Sequence, residues 1–160
     1  AALWSLPVLY IIENNMYAMG TAVNRAAAGS ELYKRGESFG INGNIVDGMN
    51  VFKVIKAAQK AGDYVRAGKG PYILEVQTYR YRGHSMSDPA KYRSKEEVDT
   101  YKLHDPIEIA SQEILKRKIV AKKDLKNINK KIIQEIKDAV EYALESPFPL
   151  DHDLFTNVYL

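Results

Sequence analysis

The feature that most constrains the fold is a continuous apolar run over residues 6–12, rich in β-branched side chains and followed at once by Glu13 and Asn14. Continuous apolar runs of this length are typical of strands that are buried on both faces in a parallel sheet. We therefore expect a buried strand over residues 6–13, with polar residues leaving the sheet directly after it.

A second strand, a helix and a third strand follow along the chain. Residues 44–48 form a short strand that ends in a turn, and Asn50 caps an amphipathic helix that ends at Gly68-Lys69-Gly70. Residues 72–78 form the next strand. This order predicts a right-handed crossover and a parallel sheet, and hence the α/β fold class.

Helical patterns dominate the C-terminal part of the chain. Ser94 with Glu97 is a capping box, Asp105-Pro106 begins a second helix, and residues 122–145 form a long amphipathic helix. The tail that follows is too apolar to stay free, so we expect it to pack on this chain or on a partner. Its apolar residues are Phe148, Leu150, Leu154, Phe155, Val158 and Tyr159.

Composition excludes several kinds of site. The chain has no cysteine, which removes disulfides, thiolate metal sites and a cysteine nucleophile. Its longest apolar run is far too short to span a membrane, and no basic segment precedes it, so we do not expect a signal peptide. Much of the positive charge lies in residues 116–131, without interleaved aromatic residues. We interpret this cluster as a solvated helix face rather than a nucleic-acid surface.

Two polar loops are candidates for a functional site, because loops after parallel strands gather at the ligand-binding edge of the sheet. The first begins at Asn14-Asn15 and can offer an amide oxygen and the backbone carbonyl of Tyr17 to Mg²⁺, which prefers hard oxygen ligands. Taken alone, this pattern fits a hydrogen-bonded turn better than a metal site. The second loop holds Arg80, Arg82 and His84, which can bind a diphosphate, although an isolated loop histidine is as often simply exposed.

Together these segments resemble a known family, the alpha subunits of thiamine-diphosphate-dependent 2-oxoacid dehydrogenases. The resemblance covers nearly the whole chain and is carried by residues 1–7, 13–21 (ENNMYAMGT), 46–49 (VDGM), 68–71 (GKGP), 77–89 (QTYRYRGHSMSDP) and 153–159. It implies that residues 1–93 are the C-terminal part of a parallel-sheet thiamine-diphosphate-binding α/β domain. Residues 94–160 would form a helical C-terminal region with a packing tail. The second loop favours the pyruvate dehydrogenases over the branched-chain oxoacid enzymes.

The resemblance also implies how the two loops are used. Thiamine diphosphate would lie between an alpha and a beta subunit, with Mg²⁺ bound by the Asn15 side chain and the Tyr17 carbonyl. His84 would contact the diphosphate and is the catalytic candidate of this chain. The family motif begins Gly-Asp-Gly and ends Asn-Asn, and no Gly-Asp-Gly occurs here. We therefore expect that half of the metal site upstream of Ala1, and this piece alone to be inactive.

The activity implied is oxidative decarboxylation of pyruvate, with transfer of the acetyl group to lipoyl groups of the acyltransferase core. The expected partners are the beta subunit, a second alpha subunit and the lipoyl acyltransferase, with no nucleic acid and no membrane. The expected location is the bacterial cytoplasm, or the mitochondrial matrix if the source is eukaryotic.

Ser85 is a candidate phosphorylation site, because the equivalent serine of mitochondrial relatives is phosphorylated to switch the enzyme off. Ala22 stands where those relatives have another regulated serine, and the loop after Pro89 is shorter. We therefore expect an unregulated, bacterial-type enzyme. Two alternatives stay open: a relative that acts on acetoin or a branched-chain oxoacid, and a non-enzymatic interaction module that uses the lysine-rich helix.

Overall fold

The computed structural model describes residues 1–158. Its contacts divide the chain into two compact units, Ala1–Glu113 (unit 1) and a second that begins at Ile114 (unit 2). The predicted domain division after Arg93 stays a prediction. The strands and helices are β1 (Leu9–Asn14), β2 (Tyr17–Ala18), β3 (Thr21–Ala22), α1 (Val23–Ala26), β4 (Asn42–Asp47), α2 (Val51–Arg66), β5 (Tyr72–Gln77), α3 (Lys95–Lys102), α4 (Pro106–Lys116) and α5 (Lys122–Glu145), with 3-10 helices at Leu32–Phe39 and Asp151–Phe155.

Unit 1 is built on a parallel sheet of β1, β5 and β4 in that order. The central strand β5 pairs in register with both neighbours, so that Gln77 lies opposite Asn14 on one side and Asp47 on the other. The carboxyl ends of all three strands therefore lie at the same edge of the sheet. The predicted α/β class and parallel sheet are confirmed.

The connection from β4 to β5 runs through α2, which packs on the sheet. The side chain of Asn50 caps this helix by accepting hydrogen bonds from the backbone N–H groups of Phe52 and Lys53, at 3.1 and 3.2 Å. The helix ends before Gly68 and Gly70, whose φ angles of 69° and 91° lie in the left-handed region that glycine adopts readily. Both predicted ends of the helix are confirmed.

The core of the sheet lies under β5 rather than under β1. Ala61 and Val65 of α2 pack with Tyr72 in the buried cluster. The expectation that the first strand is buried on both faces is wrong, because Tyr10 and Ile11 are 45% and 58% exposed. β1 is an edge strand in the sheet as described, so one edge and part of its faces lack neighbours. An apolar run indicates that a strand can be buried, whereas its actual burial depends on which strands and helices pack beside it.

The first two helices of the C-terminal region begin where their capping signals predict. Ser94 Oγ accepts a hydrogen bond from Glu97 N at 3.1 Å, and Asp105 Oδ1 accepts one from Ile107 N at 2.8 Å. The long helix α5 has the predicted bounds, residues 122–145. Within residues 1–158, no helix combines the length and apolar character needed to cross a membrane.

The apolar tail is not buried by unit 2. Phe148 and Phe155 are 94% and 82% exposed, and Leu154 is also exposed. Packing of this tail on a partner therefore stays a prediction, and Tyr159 lies outside the described residues.

Candidate functional site

The two candidate loops leave the same edge of the sheet. Asn14 and Gln77, the last residues of β1 and β5, are paired in register, and Thr78 N donates to the Asn14 carbonyl at 2.9 Å. The first loop (residues 15–30) and the second loop (residues 78–93) therefore begin side by side, as parallel neighbouring strands require.

Two consecutive side-chain turns shape the start of the first loop. Asn14 Oδ1 accepts a hydrogen bond from Met16 N at 2.9 Å, and Asn15 Oδ1 accepts one from Tyr17 N at 3.1 Å. These are turns that Asn side chains favour. Met16 has a φ of 68°, a left-handed conformation that non-glycine residues seldom adopt. The hydrogen-bonded turn that the sequence alone favoured is therefore present, and it carries both candidate ligands.

The chemistry of these ligands fits magnesium. Amide and carbonyl oxygens are hard ligands of the kind that Mg²⁺ binds. An amide oxygen has two lone pairs, so the hydrogen bond from Tyr17 N leaves one on Asn15 Oδ1 for a cation. Among the described residues, no three His, Asp or Glu side chains gather to hold a metal ion. The first loop can thus supply part of a magnesium shell, and other oxygens have to complete it.

Glu97, at the start of α3, connects the two loops. The phenol groups of Tyr17 and Tyr79 each donate to Glu97 Oε1 at 2.8 Å. Burial, together with the hydrogen bond to Glu97, raises the pKa of Tyr79 to about 12. Burial also raises the pKa of Tyr17. Both phenols are therefore protonated donors at neutral pH, and one carboxylate holds both loops against α3.

Arg80 ties the second loop directly to the first. Its Nη2 donates to the carbonyl of Met19 at 2.6 Å and to the hydroxyl of Tyr92 at 2.8 Å. Its Nε donates to the carbonyl of Arg82 at 3.2 Å. The guanidinium that we expected to face a diphosphate therefore has acceptors within the protein.

Arg93 holds the second loop by its backbone. Its guanidinium donates to the carbonyls of Arg80, Tyr81 and Arg82, the last two at 2.7 and 2.8 Å. The same group lies over the ring of Tyr79, 5.2 Å from its centroid. Three consecutive carbonyls gathered on one cation fix the path of the chain just before His84.

Asp88 closes the second loop onto His84. Its Oδ2 accepts hydrogen bonds from His84 N at 2.7 Å and from Tyr92 Oη at 2.8 Å, while Oδ1 accepts one from Ala90 N. The backbone hydrogen bonds from His84 and Ala90 hold the pKa of Asp88 below its ordinary value. Gly83 permits this close approach, because a Cβ there would lie 2.5 Å from the Asp88 carbonyl oxygen.

The predicted side chains remain accessible on this framework. His84 and Ser85 are exposed, whereas Asn15 and Tyr17 are half-buried. Ser85 Oγ lies 3.1 Å from Ser87 Oγ. The assignment of Asn15, Tyr17 and His84 to a cofactor site, and of Ser85 to phosphorylation, stays a prediction.

Three residues that the sequence did not single out for the site contact its loops: Arg93 and Glu97, described above, and Glu75, whose side chain accepts a hydrogen bond from Asn14 Nδ2 at 2.7 Å. Glu75 carried a usable signal, because a lone carboxylate inside an apolar strand is seldom buried unless it is paired. Arg93 and Glu97 carried none, because arginine at a loop end and glutamate at a helix start are ordinary in solvated positions.

The sequence of this chain matches a known protein family and several named proteins. A family model described as Dehydrogenase E1 component matches residues 1–150. The pyruvate dehydrogenase E1 component subunit alpha of Rickettsia felis is 54% identical over 99% of this chain, and the Zymomonas mobilis protein of the same name is 50% identical over 99%. The mitochondrial subunit alpha of Dictyostelium discoideum is 48% identical over 100% of the chain. The chain spans about half the length of the curated relatives it matches, 49%, 45% and 42% of these three.

Proposed function

We propose that this chain, which belongs to the dehydrogenase E1 component family, is part of the alpha subunit of a thiamine-diphosphate-dependent pyruvate dehydrogenase of the bacterial type. The observation that carries the proposal is the 54% identity to a bacterial subunit alpha of that name over 99% of the chain, a span that includes both loops. The activity proposed for the parent protein is oxidative decarboxylation of pyruvate, with acetyl transfer to lipoyl groups of the acyltransferase.

The first loop serves this activity by binding a cation. Asn15 Oδ1 and the Tyr17 carbonyl act as magnesium ligands, and the metal neutralises part of the charge of the cofactor's diphosphate. The two side-chain turns and the Tyr17–Glu97 hydrogen bond support this role, because they hold both ligand residues in place before the cation arrives.

The second loop serves by binding the diphosphate. Thiamine diphosphate, when bound, supplies the electron sink that decarboxylation of a 2-oxoacid requires. His84 donates a charge-assisted hydrogen bond from its imidazole to the diphosphate. The second loop holds four basic residues, Arg80, Arg82, Lys91 and Arg93, against one acidic residue, Asp88, and this net positive charge favours an anionic ligand there.

The proposed partners are a beta subunit, a second alpha subunit and the lipoyl acyltransferase core, in the bacterial cytoplasm. An apolar stripe on α5 supports such contacts, since exposed apolar patches mark interaction sites. Its members Ile136, Val140 and Leu144, spaced four residues apart, are 61%, 55% and 81% exposed.

The experiment that tests the proposal is an assay of the full-length alpha subunit co-expressed with its beta subunit. We expect decarboxylation of pyruvate with an artificial electron acceptor, dependent on both thiamine diphosphate and Mg²⁺. Activity confined to acetoin or a branched-chain oxoacid would overturn the substrate assignment. Absence of any decarboxylase activity in the assembled enzyme would overturn the function itself.

A further inference from the structure

A fully buried carboxylate lies beneath the first loop. Glu75, in the middle of β5, has no exposed surface, and Asn14 at the end of β1 is only 4% exposed. Glu75 Oε1 accepts a hydrogen bond from Asn14 Nδ2 at 2.7 Å, and Oε2 accepts one from Tyr33 N at 3.0 Å. Each carboxylate oxygen thus has a donor, and both donors are neutral amides.

The bond from Asn14 fixes which way its amide faces. Because a carboxylate only accepts, Nδ2 has to lie against Glu75, which leaves Oδ1 to accept from Met16 N at 2.9 Å. On the other side of the turn, the Met16 carbonyl accepts from Val23 N at 2.9 Å. Met16 is thus held from both sides in its left-handed conformation, with a φ of 68°. Strained residues of this kind persist only where their surroundings enforce them.

We propose that Glu75 is a positioning residue for the magnesium ligands. This inference rests on the proposed function, which makes Asn15 and Tyr17 those ligands. They flank Met16 directly, so the conformation of Met16 sets the placement of the Asn15 amide relative to the Tyr17 carbonyl. Glu75 enforces that conformation through Asn14, and its second oxygen anchors the start of the 3-10 helix Leu32–Phe39 at Tyr33 N.

The hydrogen-bond pattern can be tested by exchanging the carboxylate of Glu75 and the amide of Asn14. In Glu75→Gln, the new side-chain NH₂ group faces either Asn14 Nδ2 or Tyr33 N. Both of these are donors, so one of the two hydrogen bonds is lost. In Asn14→Asp, two carboxylates meet. The double variant Glu75→Gln/Asn14→Asp restores the pattern, because the glutamine NH₂ can donate to the new aspartate while its oxygen accepts from Tyr33 N. The other aspartate oxygen still accepts from Met16 N, and the net charge equals that of the wild type.

The experiment uses the full-length alpha subunit assembled with its beta subunit. Calorimetry measures the Kd of thiamine diphosphate at fixed Mg²⁺, and thermal unfolding of the cofactor-free enzyme is followed in parallel. Glu13→Gln is the matched control, because it removes one negative charge from the exposed part of β1 near the same loop. Enzyme kinetics separate kcat at saturating cofactor from the KM for cofactor.

We expect each single variant to raise the Kd by about 10-fold or more, which is typical when a group that orients a metal ligand is lost. The double variant should return the Kd close to that of the wild type, with Glu13→Gln unchanged and kcat at saturation retained. If the single variants lower only the unfolding temperature or kcat, with Kd and KM unchanged, Glu75 is merely structural and the inference is wrong.

A folded double variant that binds no better than the weaker single variant would also overturn the inference. If Glu75→Gln alone fails to assemble, the double variant decides, since wild-type-like affinity supports the exchange and a raised Kd contradicts it. Cofactor binding by the wild-type enzyme distinguishes failure of the proposed function from failure of the role of Glu75. A wild-type enzyme that fails to bind thiamine diphosphate defeats the proposed function, whereas tight binding by both wild type and Glu75→Gln defeats only the role of Glu75.

Discussion

Arg80 and Met19 are 61 residues apart in sequence, and the guanidinium of the first donates to the carbonyl of the second over 2.6 Å. This bond joins the two loops that leave the carboxyl edge of the sheet. A loop that carries the predicted magnesium ligands and a loop that carries His84 are therefore held together before any cofactor binds.

Replacement of Arg80 by lysine should loosen both loops. An ammonium group cannot reproduce the fork that reaches Met19, Tyr92 and Arg82 together. Loss of charge-assisted hydrogen bonds should lower the free energy of local opening by about 1.5–3 kcal/mol. Hydrogen exchange of the backbone amides over residues 15–22 and 78–93 measures this. Arg82→Lys, at an exposed position of the same loop, is the control, and equal exchange in the two variants would refute the role of Arg80.

Replacement of Gly83 by alanine should displace Asp88. The new Cβ would lie 2.5 Å from the Asp88 carbonyl oxygen and 2.9 Å from its Cβ, so the hydrogen bond from His84 N cannot keep its geometry. We expect the Kd of thiamine diphosphate for the assembled enzyme to rise on the order of 10-fold to 100-fold, the scale at which small misplacements act. Gly29→Ala, where a Cβ meets nothing within 4 Å, should leave the Kd unchanged. Equal affinities of the two variants would contradict the account of the loop.

Tyr79 predicts a stability change at alkaline pH. Its pKa is raised from 10.0 to about 12 by burial and by the hydrogen bond to Glu97, so the folded state holds a proton that the unfolded state loses. The contribution of Tyr79 to stability is thus complete below pH 10 and is lost as the pH rises towards about 12. The free energy of unfolding, measured against pH, should fall less steeply in Tyr79→Phe than in the wild type. Tyr142→Phe, at a site 76% exposed, should keep the wild-type slope.

Local signals allowed much of the fold to be predicted from the sequence. Asn50 and Asp105 cap their helices with backbone groups only two or three residues away, so each cap can be identified from a short segment. The exposure of Ile11 could not be predicted, because it depends on which strands and helices lie beside β1.

The partners that the supporting residues of the site bind could not be predicted from the sequence, for a different reason. Tyr17 and Glu97 are 80 residues apart, and many other acidic residues could have accepted the same hydrogen bond. The motif at Asn14 and Asn15 predicted a turn correctly, but the carboxylate of Glu75 beneath it became a partner only through the pairing of β1 with β5.

Removal of the cap at Asn50 should lower the stability of unit 1 without touching the candidate site. In Asn50→Ala the N–H groups of Phe52 and Lys53 lose their acceptor, and the expected loss is about 1 kcal/mol of the free energy of unfolding. Asn50→Asp keeps an accepting oxygen and should stay close to the wild type. Denaturant unfolding of the assembled enzyme measures both, and equal losses in the two variants would show that the cap is not the cause.

The most direct test of the central claim is a crystal structure of the full-length alpha subunit with its beta subunit, thiamine diphosphate and Mg²⁺. We predict Mg²⁺ at about 2.0–2.1 Å from Asn15 Oδ1 and from the Tyr17 carbonyl oxygen, the distance that this ion requires. His84 should contact the diphosphate in the same structure. A Mg²⁺–diphosphate group bound elsewhere, with Asn15 and Tyr17 free of the metal, would contradict the account.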